Sequence, residues 1–361
     1  MYLTSLYAQN FRNLKCIQLQ PSPHFNLIFG KNGSGKTSLL EAIAYLAYGR
    51  SFTQTPYSHL INHEEQEFII SAQVFDEHSN FTDTLGISRQ RSRTVSPLIS
   101  INGRNTSKLS ELAARLCVQI IYPTATEIFT QGPDQRRKYL DWGVFYTFED
   151  SRTLWGSYRR ALQQRNQLLK TTQDDIHLNI WGDQIVSLSL KITEFRTAYF
   201  KALLPYLQHI CQKFLPAFDF EFEFYPGWDK TKDLRSLMSL SLEKDRFLGY
   251  TYYGCHRADL RVKHQNVPVS EILSRGQLKL LLCALKLTQT KLLFDETGRK
   301  CLFLLDDLSS ELDPVSRALL LDDLKLLNSQ VFVTNISSEL ASELGQPSDL
   351  KLIDIQTIHA S

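Results

Sequence analysis

Apolar residues along this chain recur with two periods, and the change from one to the other separates strand-rich ends from a helical middle. Phe25, Leu27 and Phe29 alternate as in a short strand, and after Thr37 the residues Leu39, Leu40, Ile43, Leu46 and Ala47 return at helical spacing. Upstream, Tyr2 to Tyr7 and Cys16 to Gln20 read as strands paired around the turn Asn10-Phe11-Arg12-Asn13, and Pro21-Ser22-Pro23 then breaks the chain. Downstream, Phe68 to Phe75, Thr82 to Gln90 and Pro97 to Ile101 form an antiparallel pattern, with Asn102-Gly103 as a tight-turn signal. A helix over Lys108 to Leu116 and a strand over Val118 to Tyr122 close this part.

From Asp134 to about Phe214 the pattern is almost wholly helical. Leu154, Tyr158, Ala161, Arg165 and Leu168 step by alternating fours and threes. After a polar break at Thr171 to Asp175, Trp181, Ile185, Leu188, Ile192, Phe195, Tyr199 and Ala202 continue the rhythm. Two such seams predict an antiparallel helical hairpin, a stub of coiled coil with helices of roughly 30–40 Å. Phe218, Phe220, Phe222 and Phe224 alternate with Asp219, Glu221 and Glu223 in a strand with a core face; a base-stacking platform is the rarer reading. The uninterrupted run Cys301 to Leu305 reads as a buried parallel strand, and Gln330 to Val333 as a last apolar strand before Thr334-Asn335.

The chemistry sits between the first strand–helix pair. Gly30-Lys31-Asn32-Gly33-Ser34-Gly35-Lys36-Thr37 fills G-x-x-x-x-G-K-[ST] without a mismatch, with Ser38 following. Glycines let backbone N–H groups turn toward an anion, and the helix behind adds the positive end of its dipole. Lys36 would reach the β/γ-phosphates and the Thr37 hydroxyl would ligate Mg²⁺. Arg12 and Asn13 either reach a nucleotide held there or form a solvated turn.

The Cys301 to Leu305 strand ends in Asp306-Asp307, at the strand end where α/β sheets place ligands. Asp306 would hold Mg²⁺, and Asp307 would orient or deprotonate the attacking water. Leu273-Ser274-Arg275-Gly276-Gln277 is a second polar cap, on a helix carrying Leu278, Leu281, Leu282 and Leu285. Arg89, Arg91 and Arg93 stand at period two, as a phosphate track or, more commonly, a charged protective edge. Arg136-Arg137-Lys138 and Arg159-Arg160 with Arg165 read as basic patches or, slightly favoured, as solvated helix faces.

Composition changes little. The 361 residues carry a formal net charge of +2, so a nucleic-acid surface would have to be local. Six scattered cysteines lack metal-ligand spacing and read as reduced core residues, and neither a secretory leader nor a membrane span is evident. A cytoplasmic location is the expectation.

In order and spacing, the cradle, the Ser274 signature, Asp306-Asp307 and Ser310-Glu311-Leu312-Asp313 resemble the head of an ABC-type ATPase. Within that class the chain resembles the RecF family of bacterial recombination-repair proteins over almost its whole length. Asn10-Phe11-Arg12-Asn13, Gly49-Arg50-Ser51-Phe52, Gly132-Pro133 with Arg136-Arg137, Leu140-Asp141-Trp142-Gly143, Gly254 with His256-Arg257, and Leu273 to Lys279 carry the match. Cys255 replaces the proline of the family's Gly-Pro-His-Arg run, and Pro123-Thr124-Ala125-Thr126 leaves the ATPase glutamine loop unlocated. Thr334 stands where transporter-type relatives carry a switch histidine.

The resemblance implies an α/β ABC-type ATPase head, a P-loop NTPase with a mixed sheet and an inserted helical lobe bearing the hairpin. Lobe I would comprise residues 1–125 and 295–361, and lobe II residues 126–294. ATP and Mg²⁺ are the implied cofactors: Gly30 to Ser38 with Arg12 and Asn13 bind nucleotide, and Thr37 and Asp306 hold the metal. Asp307 and Lys36 serve catalysis, and Ser274, Gly276 and Gln277 of one copy close on ATP held by another. The implied activity is weak ATP hydrolysis by a homodimer that clamps DNA at single-strand gaps and duplex junctions, with RecO and RecR, helping RecA load during repair and the SOS response. A transporter's nucleotide-binding subunit and an SMC-like scaffold are the competing expectations. The first wants a switch histidine and a membrane partner, the second a much longer arm.

Overall fold

In the computed structural model, which describes residues 1–92, 95–171, 175–346 and 348–358, the alternating segments near the start of the chain build a six-stranded antiparallel sheet. Its order is Leu14–Leu19, Tyr2–Phe11, Glu67–Asp76, Phe81–Gln90, Leu98–Ile101, Arg104–Thr106. The last hairpin turns on Asn102 (φ 53°) and Gly103 (φ 76°), the paired positive φ values that a two-residue turn requires. Residues far apart in sequence form a second, five-stranded parallel sheet: Leu350–Asp354, Phe25–Phe29, Val331–Asn335, Leu302–Leu305, Val118–Ile121. The expected mixture of strand directions is thus divided between two sheets. Leu350–Asp354 is an addition: Val331–Asn335 is not the last strand. Leu352 is half exposed, so this short edge strand lacks the continuous apolar run that marks its neighbours.

The helix Lys36–Tyr48 buries every residue from Ser38 to Ala47 and contacts strands of both sheets. A helix apolar all round is one that is covered all round. Leu39, Leu40 and Ile43 share one core with Leu3, Leu6 and Phe68 of the antiparallel sheet and with Ile28, Leu304 and Phe332 of the parallel one. Phe11, Tyr45 and Phe68 meet edge to face, with ring centroids 5.1–6.1 Å apart. This packing fixes where the helix begins, and so where the cradle opens.

These elements belong to one compact unit, Met1–Ala125 with Lys279–Ser361; Thr126–Leu278 forms the other. The second boundary lies at 278/279, where the sequence had placed it at 294/295. The helix Arg275–Thr297 is continuous, and Leu281, Leu282, Leu285 and Leu287 along its body are buried.

In the Thr126–Leu278 unit, Leu154–Thr171 packs against the 40-residue helix Asp175–Phe214, which at 1.5 Å per residue is about 60 Å long, beyond the expected reach. Tyr158, Ala161, Ile185, Ile192 and Tyr199 are buried as the seams required; Leu169 takes the buried position assigned to Leu168. Of the polar break, residues 172–174 lie outside the described residues, as does Arg93. Arg165 occupies a seam position as a buried cation, its Nη1 donating to Asp245 Oδ2 and Thr251 Oγ1, both at 2.7 Å. Burial pushes the Asp245 carboxyl up, an effect partly offset by Arg165. Phe220–Tyr225 is the expected strand, but only Phe224 is buried; Phe218, Phe220 and Phe222 are half exposed and contact one another (centroids 5.9 and 6.4 Å).

Candidate functional site: a phosphate cradle and its carboxylates

The loop between Phe25–Phe29 and Lys36–Tyr48 has the backbone its glycines permit. Gly35 (φ 108°) is the residue before the helix, where a Cβ would stand 2.8 Å from Leu14 Cδ2; one at Gly30 (φ 149°) would stand 2.7 Å from Ile355 Cγ2. Asn13 splints this loop: its Nδ2 donates to Gly33 O (3.0 Å), and its Oδ1 accepts from Ser38 Oγ (2.7 Å). Lys36 Nζ donates to Gly30 O (2.7 Å) and Lys31 O (3.0 Å), which holds the ammonium over the loop.

Opposite lie the ends of two parallel strands. Thr37 Oγ1 donates to the Asp306 carboxylate at 3.0 and 3.1 Å, and Thr334 Oγ1 donates to Asp306 Oδ1 at 2.8 Å. The Asp307 N–H donates to Thr334 Oγ1, also at 2.8 Å. Burial raises the Asp306 carboxyl above its ordinary value, while the Thr334 and Thr37 hydroxyls pull it back down. Asp307 adopts the left-handed conformation (φ 53°, ψ 47°), sparsely populated for a side-chain-bearing residue and typical of functional corners. The sequence placed Asp306 and Asp307 here; Thr334 it treated only as a missing histidine. Thr334 is the hydroxyl that joins the two aspartates.

Arg12 lines the same cleft but is already engaged. It forms an ion pair with the fully buried Glu41, and its Nη2 donates to Thr53 Oγ1 (2.9 Å) and Thr55 Oγ1 (3.0 Å). Glu41 also accepts from Ser51 and Thr53. Arg12 is thus held by contacts within the chain, while Asn13 beside it is exposed.

The cleft, about 950 Å³, extends past the cradle to Ser58, His59, Asn62, His63 and Arg91. Sequence reasoning missed this far wall. Arg91 is neither edge guard nor phosphate track: its guanidinium donates to the carbonyls of Ser58 (3.2 Å), Asn62 (2.9 Å) and Glu65 (3.1 Å) and pins the loop that carries the histidines. Arg89 stacks on Tyr57, 3.8 Å from the ring centroid. No glutamine is among the described residues of the cleft; Gln119 is buried against Gln289 (3.2 Å).

The signature is a capping box in the other unit. The Ser274 N–H donates to Gln277 Oε1 (2.8 Å), and the Gln277 N–H donates to Ser274 Oγ (3.3 Å). Ser274, Arg275 and Gly276 are exposed. The Ser310 to Asp313 run is anchored at Glu311, 2.6 Å from Lys279, and Asp313 caps Pro314–Leu326 by accepting from the Val315 and Ser316 N–H groups (3.0 Å each). The basic run at Arg136-Arg137 is not a solvated face: Arg136 binds Asp259 (2.7 and 3.1 Å), and both arginines are mostly buried.

A glycine-bent anion cradle opening a buried helix, with paired carboxylates at the end of a neighbouring parallel strand, defines a P-loop ATPase of the ABC head class. The family described as "RecF/RecN/SMC N terminal domain" matches residues 2–357. The DNA replication and repair protein RecF of Vibrio cholerae is 40% identical over 353 residues, covering 96% of each chain, and that of Haemophilus influenzae is 40% identical over 344 residues, covering 95% of each. Among solved structures, the recombination mediator RecF-ATP in the RecFOR pathway superposes with a TM-score of 0.85 at 27% identity, covering 94% of this chain and 92% of that one. An Smc head bound to the C-winged helix domain of ScpA shares the fold alone, with a TM-score of 0.56 at 17% identity over 95% of this chain and 92% of that one. The chain belongs to the RecF family of DNA replication and repair proteins.

Proposed function

We propose that this chain binds ATP and Mg²⁺ in the cleft, dimerises with a second copy when ATP is bound, and in that state closes on DNA at single-strand gaps and duplex junctions. Hydrolysis then releases the DNA. Its structural relative, a recombination mediator of the RecFOR pathway, supports RecO and RecR as partners. With them the chain would help RecA load, in the cytoplasm and within the SOS response. Among the described residues no helix is long and apolar enough to cross a membrane.

The observation that carries the reading is the chain of contacts from Thr37 through Asp306 and Thr334 to Asp307, which ties the cradle to the hydrolytic corner. Thr37 and Asp306 offer a hydroxyl and a carboxylate oxygen 3.0 Å apart, the hard-oxygen donor set that Mg²⁺ prefers. Mg²⁺, when bound, would neutralise charge on the transferring phosphoryl group. Lys36 exchanges its two loop carbonyls for phosphate oxygens, and the Gly30 to Ser38 backbone supplies N–H donors. Asp307, held at its corner by Thr334, orients the attacking water. Its carboxylate is one methylene shorter than glutamate, which favours slow turnover. Ser274, Gly276 and Gln277 of the second copy complete the site, and the exposure of that capping box suits such a role.

The test is fluorescence anisotropy of a gapped duplex with ATP, ADP or no nucleotide, with Lys36→Met as control. Tight binding only with ATP, lost in the variant, is expected. Binding indifferent to nucleotide overturns the gating. Full ATP-dependent dimerisation by Ser274→Arg refutes the shared site.

A further inference from the structure

The nucleotide site leaves one sequence run unused, Gly254-Cys255-His256-Arg257. In the Thr126–Leu278 unit this run closes a second cleft of about 610 Å³, bounded by the helices Pro133–Thr147, Leu154–Thr171 and Asp175–Phe214. Five cations line it, Arg137, Lys138, Arg159, Arg196 and Arg257, against two carboxylates. Both carboxylates are spent: Asp141 binds Arg196 bidentately (2.7 and 2.9 Å), and Asp134 binds Arg137. Among the described residues no ion pair neutralises Arg159 or Arg257, both exposed; the Arg257 guanidinium lies over the Tyr250 ring, 4.9 Å from its centroid. Positive charge in a walled cleft focuses its field on an incoming anion.

The interior is built to hold this arrangement. Arg196, 3% exposed, also donates to Cys255 O (2.7 Å). His256 Nε2–H donates to Thr251 O (3.0 Å), and its Nδ1 accepts from the Tyr158 hydroxyl (2.7 Å), so the imidazole is a neutral strut with both nitrogens used. A Cβ on Gly254 would stand 2.7 Å from that hydroxyl, which is why the run needs glycine there. Trp155 lines the cleft.

We infer that this cleft is a second anion site, one that takes a phosphate and a stacked base of single-stranded DNA. Its volume suits one nucleotide unit and not the paired stack of a duplex, and Arg257 on Tyr250 presents the flat cationic surface on which an unpaired base rests. The inference rests on the DNA-binding reading above and assigns the single-stranded side of a gap to this cleft.

The experiment uses the full chain with ATP and Mg²⁺ and compares the unsubstituted protein, Arg159→Ala/Arg257→Ala and Arg159→Lys/Arg257→Lys. Labelled oligo-dT and a blunt duplex are titrated over a range of salt, with a labelled ATP analogue as a check on the cradle. The alanine pair is expected to lose about tenfold or more in oligo-dT affinity, and its log K against log salt slope should fall by about 0.7, the value for one lost phosphate contact on a single strand. Duplex and ATP binding should be unchanged, and the lysine pair should retain most of the salt slope. If the alanine pair binds oligo-dT like the unsubstituted protein, the cleft assignment is overturned while DNA binding stands. If the unsubstituted protein binds neither DNA, both readings fall. Competition by dTMP but no effect of the substitutions on oligo-dT binding would mark a free-nucleotide site and refute the strand.

Discussion

Thr334→Val is the sharpest test of the hydrolytic corner, because valine keeps the shape of threonine and removes only the hydroxyl. That hydroxyl makes two 2.8 Å bonds, one to the buried Asp306 carboxylate and one from the Asp307 N–H. A hydrogen bond to a charged group contributes about 1.5–3 kcal/mol. Both bonds hold the Asp306–Asp307 corner, so their loss should appear in the hydrolytic step, as roughly a 10- to 150-fold fall in turnover at saturating ATP and Mg²⁺. Lys36, Asn13 and the glycines are untouched, so the affinity for ATP measured by calorimetry without Mg²⁺ should change by less than about threefold, since it rests on contacts the substitution leaves in place. Thr334→Ser keeps both bonds and should retain most of the activity. Hydrolysis by Thr334→Val at the unsubstituted rate would show that Thr334 does not position Asp307.

Two further outcomes follow from the Thr126–Leu278 unit and one from the cradle. Burial, and then the nearby Arg257, Arg137 and Arg196 guanidiniums, push His256 down to about 4, with Tyr158 and Asp141 also lining its cleft. Below the unfolded value of 6.5 the unfolded chain takes a proton that the folded chain refuses, so stability should fall as pH drops from about 6.5 to 4, by up to about 3 kcal/mol. A thermal-melt series in which His256→Gln shows the same slope would count against this. A Cβ at Gly143 would be driven into the Tyr199 ring and hydroxyl, so Gly143→Ala should lower stability by about 3 kcal/mol or prevent folding, as denaturant melts would show. At Gly35, alanine would bring a methyl 2.8 Å from Leu14 Cδ2 at φ 108°, and labelled-ATP binding should weaken at least tenfold, the equivalent of about 1.4 kcal/mol of the strain such a backbone imposes.

The cradle was legible because its residue identities answer to their own local backbone: a glycine where φ is positive, a lysine and threonine at the helix start. Asp306-Asp307 could be read from the strand they end, and Ser274 with Gln277 from the spacing of a capping box. What escaped was polar chemistry made by residues far apart. Arg165 sits in an apolar rhythm and counts as a seam residue until Asp245, 80 positions on, meets it. Glu41, on a helix buried all round, is explained by Arg12, Ser51 and Thr53, all outside that helix. Arg91 became a clamp because three carbonyls of a loop about 30 residues earlier turn toward it, and no side-chain pattern records a carbonyl. Thr334 lies inside the strand Val331–Asn335 but one residue past the apolar run Gln330 to Val333, and that strand's neighbour, the Asp306 strand, could not be named from sequence. The final strand, Leu350–Asp354, is an edge with little apolar signal.

The order of the parallel sheet also bears on synthesis. Among the described residues, Phe25–Phe29, the strand that launches the cradle, pairs only with Val331–Asn335 and Leu350–Asp354. At about 5–20 residues per second, the ribosome needs roughly 15–60 s to travel from the first of these strands to the last. During that interval the antiparallel strands up to Thr106 and the contiguous Thr126–Leu278 unit have all their partners, while the cradle strand has none. A nascent chain therefore cannot assemble its ATP site until Val331–Asn335 and Leu350–Asp354 have emerged, which makes nucleotide binding a report that these late strands are in place.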